Sequence, residues 1–230
     1  MARRSRLVVF DWDGTLMDST GQIVAAATRA IAQLELPARP PEAIRDIIGL
    51  GLQESWQRLF PELGPDSYTP FVTAYREHFF APELQTARLF DRVAEVIAEL
   101  SGRGFVLAVA TGKSRRGLDR DLAATGLGPF IAGSRTADET RSKPHPDMLL
   151  ELMSSLGAGP DETMMVGDTE WDLEMARRAG VASIAVCYGA HALERLRPCG
   201  PRACIDAIEA LPRVLEQAYR RDDRPGVNRS

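Results

Sequence analysis

Apolar residues occur along this chain in two patterns, short unbroken runs and longer stretches with helical spacing. The short runs are rich in β-branched residues, which predicts strands buried on both faces, as in a parallel sheet. The clear runs are 7–10, 105–110, 163–166 and 182–186, and weaker ones are 130–132 and 203–205. Helical stretches separate them, and this alternation predicts an α/β fold with a doubly wound parallel sheet.

One long stretch departs from this alternation. No strand pattern occurs from about 19 to 84, where apolar residues instead recur at helical spacing in four segments. An all-helical block that interrupts an α/β chain after its first strand predicts an inserted helical cap. We therefore expect a core formed by 1–18 and 85–219, a cap formed by 19–84, and a flexible polar tail at 220–230.

Composition narrows the class of protein without changing this picture. The chain has 230 residues, 44% of them apolar, and a formal net charge of −4, so it gives no bulk attraction to nucleic acid or to an anionic membrane. No apolar run approaches the ~20 residues that a membrane helix needs. The three cysteines lack Cys-x-x-Cys spacing, which predicts reduced thiols and a cytoplasmic protein.

Two acidic residues follow the first predicted strand directly. The run that ends at Phe10 continues as Asp11-Trp12-Asp13-Gly14-Thr15. Ligands bind at the carboxyl ends of strands in open α/β sheets, so we expect both carboxylates to lie in a site. An Asx turn alone would explain one aspartate but not the second one at the strand end. Thr15 could hydrogen-bond back to one of the carboxylates.

Groups suited to phosphate follow two later segments. Thr111 ends the second predicted strand and can donate its hydroxyl, and the N–H groups of Gly112 and Lys113 are predicted to open a helix whose positive end favours anions. Lys143 could pair both with a phosphate and with Asp11. Taken singly, the Thr-Gly pair is often a turn and a Lys-Pro pair is often a solvated loop.

Three aspartates at strand ends predict a metal site. Asp11, Asp13 and Asp168 would offer hard oxygen ligands at one edge of the sheet, and they would repel one another unless a cation lay among them. Mg²⁺ prefers such an oxygen shell. Asp172, four residues after Asp168, is better placed to orient metal-bound waters or Lys143 than to bind the metal directly.

The joint pattern closely resembles the four motifs of the haloacid dehalogenase superfamily, and the resemblance covers roughly residues 6 to 215. The motifs are Asp11-x-Asp13-Gly-Thr, Thr111, Lys143-Pro-x-Pro and Gly167-Asp168-x-x-x-Asp172. The position of the cap resembles the phosphoglycolate phosphatase-like branch. The resemblance implies a Rossmann-like core with a mobile helical cap, Asp11 as nucleophile through an aspartyl-phosphate, Asp13 as general acid and base, and Mg²⁺ as cofactor.

The expected function is a phosphatase acting on a small phosphate monoester, phosphoglycolate or sugar-phosphate-like, by a monomer or homodimer. One alternative is a non-catalytic phospholigand-binding protein, which would be free to lose Asp13. The other is a sugar phosphomutase. Sugar phosphomutases of the same superfamily carry a histidine in the first cap helix and an arginine shortly after a cap glycine. Here 21–24 contains no histidine and 49–55 no arginine, although Arg45 or Arg58 could take that place.

Two glycines interrupt the helical pattern of the cap at Gly49-Leu50-Gly51-Leu52. This segment is either a loop on the cap surface that faces the core or an ordinary turn between two helices, and base rates favour the two about equally.

Overall fold

The fold is described from a computed structural model, which covers residues 6–222. The strands are β1 (Leu7–Phe10), β2 (Met17–Asp18), β3 (Arg88–Leu89), β4 (Val106–Thr111), β5 (Ile131–Thr136), β6 (Thr163–Gly167), β7 (Ala182–Val186) and β8 (Ala203–Ile205). Six of them form a parallel sheet in the order β5-β4-β1-β6-β7-β8. β2 and β3 form a separate antiparallel ribbon.

Helices cover both faces of this sheet and build the cap. They are α1 (Thr20–Gln33), α2 (Pro41–Arg45), α3 (Leu52–Leu59), α4 (Tyr68–Phe79), α5 (Val93–Gly102), α6 (Arg115–Thr125), α7 (Asp147–Leu156), α8 (Glu170–Arg178), α9 (Leu193–Leu196) and α10 (Leu211–Asp222). The predicted α/β architecture is therefore confirmed.

The first strand is the centre of the core, as its sequence predicts. Val8 and Phe10 belong to one apolar cluster, and Leu7 and Val9 belong to another on the opposite face of the sheet. All four side chains are fully buried. Because side chains alternate across a strand, only an unbroken apolar run can fill both clusters at once.

The strand order brings three loops to one edge. β4 and β6 are the two neighbours of β1, and Phe10 pairs with Val109 on one side and Val166 on the other. The loops that follow β1, β4 and β6 therefore leave the sheet side by side at its carboxyl edge. After β5 the chain returns to the other side of β1 and adds β6, which makes this a topological switch point. Doubly wound sheets bind ligands at the carboxyl edge beside such a point.

The cap has an apolar cluster of its own, separate from those on the sheet. The cluster combines residues of α1, α2, α3 and α4 around Trp56, whose ring centroid lies 4.8 Å from that of Phe60 and 5.2 Å from that of Phe71. The ribbon β2–β3 pairs the chain entering the cap with the chain leaving it. The exact boundaries of the cap, 19–84, stay a prediction.

Three elements differ from the sequence prediction. β5 runs to Thr136 rather than ending at Ala132, because pairing with β4 supports a polar edge segment that has no apolar pattern. α6 begins at Arg115, two residues after Lys113, because the Ser114 side chain caps it by accepting from Gly117 N–H. α10 includes residues 220–222 of the predicted tail.

The rest of that tail, 223–230, and residues 1–5 of the predicted core lie outside the described part of the chain. Within the described part, no helix combines the length and apolar character needed to cross a membrane.

Candidate active site

A buried lysine joins two aspartates at the carboxyl edge of the sheet. Lys143 Nζ donates to Asp11 Oδ1 and to Asp172 Oδ1, each at 2.6 Å, and all three side chains are at most 1% exposed. Burial disfavours the charged form of Lys143, but the two carboxylates outweigh it and hold its pKa above the ordinary value. The lysine therefore remains a cation beside Asp11.

Asp168 is held in place from two other segments. Thr15 Oγ1 donates to its Oδ1 at 2.8 Å, which identifies the carboxylate that Thr15 binds, and Ala190 N–H donates to its Oδ2 at 2.7 Å. Gly14 has a φ of +86°, and a Cβ there would lie 2.2 Å from Asp168 Oδ2. The turn after Asp13 therefore needs glycine both for its backbone conformation and for its close approach to this carboxylate.

The carboxylates that meet here are those of Asp11, Asp168 and Asp172, and one oxygen from each lies within 4.8 Å of the other two. Burial raises the pKa of Asp11 well above its usual range, and although Lys143 opposes this, the two other carboxylates add to it. Burial and the neighbouring Asp172 raise the pKa of Asp168 to about 7. Among the described residues, nothing hydrogen-bonds to the buried Asp11 Oδ2.

This donor set fits a hard divalent cation. It consists only of oxygens, it carries excess negative charge, and Asp11 offers a buried oxygen without a protein partner. Such a set matches the coordination that Mg²⁺ prefers. Both oxygens of Asp172 and both of Asp168 already accept protein hydrogen bonds, but Asp172 accepts from the cation Lys143, whereas Asp168 accepts only from the neutral donors Thr15 and Ala190 N–H. Asp11, whose Oδ2 has no described partner, and Asp168 are therefore the better candidates for direct ligands.

The Asp13 carboxylate, which was also predicted to bind the metal, does not join the cluster of Asp11, Asp168 and Asp172. It accepts from Ser19 Oγ at 2.6 Å and from Lys113 Nζ at 2.8 and 3.0 Å, and Lys113 also lies 3.2 Å from Asp121. Its side chain is thus held by one cation and one hydroxyl outside the trio. The sequence analysis did not predict Ser19 or the side chain of Lys113 as partners of Asp13. The position of Lys113, two residues after Thr111, could have indicated the lysine.

The predicted phosphate-binding loop contacts the cap. Thr111 is buried, and its hydroxyl accepts from Lys113 N–H at 3.2 Å. A Cβ on Gly112 would lie 2.5 Å from the carbonyl oxygen of Leu50 and 2.6 Å from that of Gly49. Only glycine allows these cap carbonyls to approach so closely.

The cap loop at 49–52 faces the core, which confirms the first of the two interpretations of its position. Gly51 N–H donates to Ser142 Oγ at 2.7 Å, and Ser142 is next to Lys143. On another side of the cap, the carbonyl of Asp46 lies 3.2 Å from Trp171 Nε1 and 3.2 Å from His191 Nε2. Cap and core are therefore in contact at both of these places.

We expect Gly51→Val to impair substrate binding more than stability. The Cβ would lie 2.8 Å from Glu54, 3.0 Å from Ala137 and 3.1 Å from Ser142. Such crowding typically costs about 1–3 kcal/mol, so KM should rise roughly tenfold or more. KM and the midpoint of thermal unfolding are the two measurements.

Gly64→Val is the matched control. Gly64 has nearly the same backbone conformation, φ −71° and ψ 166° against −67° and 158° for Gly51, and it has open space where the Cβ would lie. This variant should keep the wild-type KM. Lower stability with unchanged kinetics in Gly51→Val would show that the loop is only a turn.

A cavity of about 940 Å³ opens above Asp11 and Asp13 and extends into the cap. Thr111, Gly112 and Lys113 line the same end of it. Lys143, Asp168 and Asp172 are not part of the described lining. The cavity therefore gives access to one carboxylate that is paired with a lysine, to a second carboxylate, and to the loop at 111–113.

Comparison with known proteins identifies relatives over most of the chain. A family model described as haloacid dehalogenase-like hydrolase matches residues 8–186. "Probable phosphatase IndB" of Dickeya dadantii is 39% identical over 209 residues, which are 89% of this chain and 91% of that protein. A plasmid-encoded phosphoglycolate phosphatase of Cupriavidus necator is 31% identical over 215 residues, 92% of this chain and 93% of the relative.

Solved structures share the fold. A protein from Bacteroides vulgatus, provisionally named a β-phosphoglucomutase, has a TM-score of 0.79 at 19% identity, covering 96% of this chain and 91% of its own. Similarity of fold at this level does not separate phosphatases from mutases. The family model and the two relatives show that the chain belongs to the haloacid dehalogenase-like hydrolase family, in its phosphoglycolate phosphatase-like branch, and is a phosphoric monoester hydrolase.

Proposed function

We propose that this enzyme is a Mg²⁺-dependent phosphatase that hydrolyses a phosphate monoester of an organic alcohol through an aspartyl-phosphate on Asp11. The proposal rests on the environment of Asp11 at the floor of the cavity. Its buried Oδ2 has no described partner, while its Oδ1 is neutralised by Lys143. Asp13, on the same loop and lining the same cavity, supplies a second carboxylate for proton transfer.

The reaction has two halves. An Asp11 oxygen attacks phosphorus, the bond from phosphorus to the alcohol oxygen breaks, and Asp13 gives its proton to the leaving oxygen. Water then attacks the phosphorus of the aspartyl-phosphate, Asp13 takes the proton of that water, and the bond to Asp11 breaks to release phosphate. Ser19 and Lys113 position the Asp13 carboxylate for both transfers.

The phosphoryl oxygens need positive charge and donors. Lys143 supplies a fixed cation, and Thr111 and Gly112, which line the cavity beside Asp11, would supply donors. Mg²⁺ held by Asp11 and Asp168 would screen the repulsion between the phosphate and the nucleophile. Asp172 would act through Lys143, since it accepts a hydrogen bond from the lysine and does not itself line the described cavity.

Asp13→Asn should lower steady-state turnover by about 10²–10⁴-fold, because the amide cannot exchange a proton with the leaving oxygen or the water. The fold should persist, since asparagine has the same shape and can still accept from Ser19. Initial rates on a metabolite phosphate and on a chromogenic aryl phosphate measure the effect. The aryl ester, whose leaving group needs less protonation, should be less impaired. Wild-type rates in this variant would assign the proton transfer to another group.

Three observations, on Gln22, Arg58 and Arg45, favour a phosphatase over a sugar phosphomutase. Gln22, in the stretch 21–24 where mutases carry a histidine, is buried and held by both ends of its amide, with Nε2 donating to Phe79 O and Oε1 accepting from Ala87 N–H. Arg58 lies over the ring of Trp171, 4.3 Å from its centroid, and lines a separate cavity of about 350 Å³. Arg45 is exposed and does not line the described active-site cavity.

The deciding experiment supplies a sugar 1-phosphate and measures inorganic phosphate and sugar 6-phosphate together. We expect release of inorganic phosphate without sugar 6-phosphate, even after priming with the sugar bisphosphate. Formation of sugar 6-phosphate faster than phosphate release would assign a mutase. Failure to hydrolyse any ester, including a chromogenic one, would support a non-catalytic binding protein.

The cellular setting proposed from the sequence is the cytoplasm, with small-molecule phosphates as the partners. All three cysteines, Cys187, Cys199 and Cys204, are free thiols, which supports a reducing compartment. The chain is proposed to act as a monomer or a homodimer.

A further inference from the structure

The cavity above Asp11 and Asp13 is much larger than a phosphoryl group. Its volume of about 940 Å³ lies near the upper end of the ~300–1,000 Å³ typical of pockets for drug-sized ligands. A two-carbon acid esterified to phosphate would leave most of this space to water. The volume therefore points to a bulky alcohol as the other half of the substrate.

The cap side of this cavity is lined by apolar residues that do not belong to a hydrophobic core cluster. Ile23, Ile48, Leu50 and Phe79 line the cavity, yet they belong to none of the apolar clusters that the described residues form. Their neighbours Ala27, Ile44 and Phe71 line it as well, from the edge of the cap cluster. An apolar wall beside a reactive site is the usual lining for the apolar part of a ligand.

Charged side chains are restricted to the two ends of the cavity. Asp11, Asp13 and Lys113 are at the floor. The other charged lining residues are all exposed, which places them at the mouth: Arg76, Glu77, Arg116, Arg120 and Asp138. The described wall between floor and mouth thus offers no cation for a substrate carboxylate, and a carboxylate buried there would be unpaired.

Polar partners for a sugar are also few along this wall. Ser55 and Tyr75 are the described polar side chains on its cap side away from the mouth, and Ser55 Oγ already lies 3.4 Å from the carbonyl of Ile47. A sugar carries several hydroxyls, and each one that enters an apolar site without a partner loses its hydrogen bonds to water.

A ladder of aromatic rings follows one side of the cavity. Phe71, Tyr75 and Phe79 are spaced four residues apart on α4, with successive centroid distances of 6.3 and 5.7 Å, and Phe80 continues the ladder at 5.3 Å. Lys113 Nζ lies 5.3 Å from the centroid of Phe79, so the ladder reaches the floor. Ring faces and edges at this spacing suit a planar apolar group.

We propose, resting on the phosphatase function above, that the substrate is a phosphate monoester of a bulky, uncharged and mainly apolar alcohol, with an aromatic group as the best match. The phosphate lies at the floor by Asp11, and the body of the alcohol lies between Ile23 and the ladder of Tyr75 and Phe79. Phosphoglycolate and sugar phosphates are then poor substrates, because their carboxylate or hydroxyls meet an apolar wall.

The test compares three esters of primary alcohols in the presence of Mg²⁺: 2-(1-naphthyl)ethyl phosphate, phosphoglycolate and glucose 6-phosphate. Similar leaving groups keep the chemistry comparable, so differences report on the cavity. We expect kcat/KM to be at least about 100-fold higher for the naphthylethyl ester, mainly through KM, because burial of a large ring system is worth that much in binding.

A matched pair of variants locates the preference. Ile23→Gln places an amide on the cavity wall and should reduce the ratio of kcat/KM between the naphthylethyl ester and phosphoglycolate about tenfold. Val24→Gln changes the next residue of α1, which is half-buried against the cap cluster and does not line the described cavity. It should keep the wild-type ratio. If Ile23→Gln does not fold, Ile23→Ala makes the same comparison.

Binding is measured separately from catalysis, so that the two proposals can fail independently. The Asp11→Asn protein is titrated with the non-hydrolysable 2-(1-naphthyl)ethylphosphonate and with phosphonoacetate, each with Mg²⁺. Preference for the naphthyl compounds in both assays supports the inference. If the wild type hydrolyses phosphoglycolate or glucose 6-phosphate in preference to the naphthylethyl ester, the inference is overturned and the phosphatase function stands. Tight phosphonate binding without hydrolysis of any ester by the wild type overturns the phosphatase function and leaves the apolar ligand class supported.

Discussion

Asp11→Asn should abolish turnover while the protein folds normally. The amide is a poor nucleophile and cannot form the acyl phosphate, so we expect kcat to fall by on the order of 10⁴-fold or more. The fold should tolerate the change, because burial and the neighbouring Asp172 and Asp168 already disfavour the charge on Asp11. Lys143 keeps its second partner, Asp172, at 2.6 Å. Single-turnover hydrolysis and thermal unfolding measure the two effects.

Asp18→Asn is the matched control for this prediction. It removes the same charge from the same segment of the chain, at an exposed position in β2, and should retain wild-type kcat. Trapping of phosphorus on the wild-type protein, but not on Asp11→Asn, would identify the covalent intermediate. Substantial residual activity in Asp11→Asn would assign the nucleophile to another group.

Removal of metal should stop catalysis, and Mg²⁺ should restore it. Asp11, Asp168 and Asp172 bring three carboxylates within 4.8 Å of one another, and Lys143 alone cannot balance them together with a phosphate. We expect EDTA to abolish hydrolysis. Ca²⁺ should substitute poorly, because it prefers a larger and looser shell of ligands. Activity that persists after exhaustive chelation would contradict a metal requirement.

A second readout of the same prediction does not depend on turnover. A ligand that binds only the native state at about 100 times its Kd stabilises it by about 2.7 kcal/mol, which should raise Tm by roughly 5–10 °C for a chain of this size. Asp168→Asn should lose most of this Mg²⁺-dependent shift. Asp161→Asn, an exposed acid ahead of β6, should keep it. An equal shift in all three proteins would place the bound metal elsewhere.

Much of the core follows from local sequence patterns. The run at 7–10 is confirmed as a strand buried on both faces, because its unbroken apolar sequence supplies side chains to the apolar clusters on both sides of the sheet. Asp11 and Lys143, which are 132 positions apart in the sequence, are in contact at 2.6 Å, as the sequence led us to expect. β5 was predicted too short, since an edge strand is stabilised by its neighbour rather than by its own apolar residues.

The sequence by itself determined which groups reach the edge of the sheet: Asp11 and Asp13 after β1, Thr111 at the end of β4, Asp168 after β6. Only the tertiary structure decided that Asp13 has partners of its own, apart from the group around Lys143. Asp172 joins Lys143 and Asp11, whereas Asp13 turns to Ser19 and Lys113. The end of a strand determines where the backbone of a residue lies. The partner of its side chain depends on a few ångströms of reach and on several charges competing for one buried lysine. Spacing along the chain encodes neither of these.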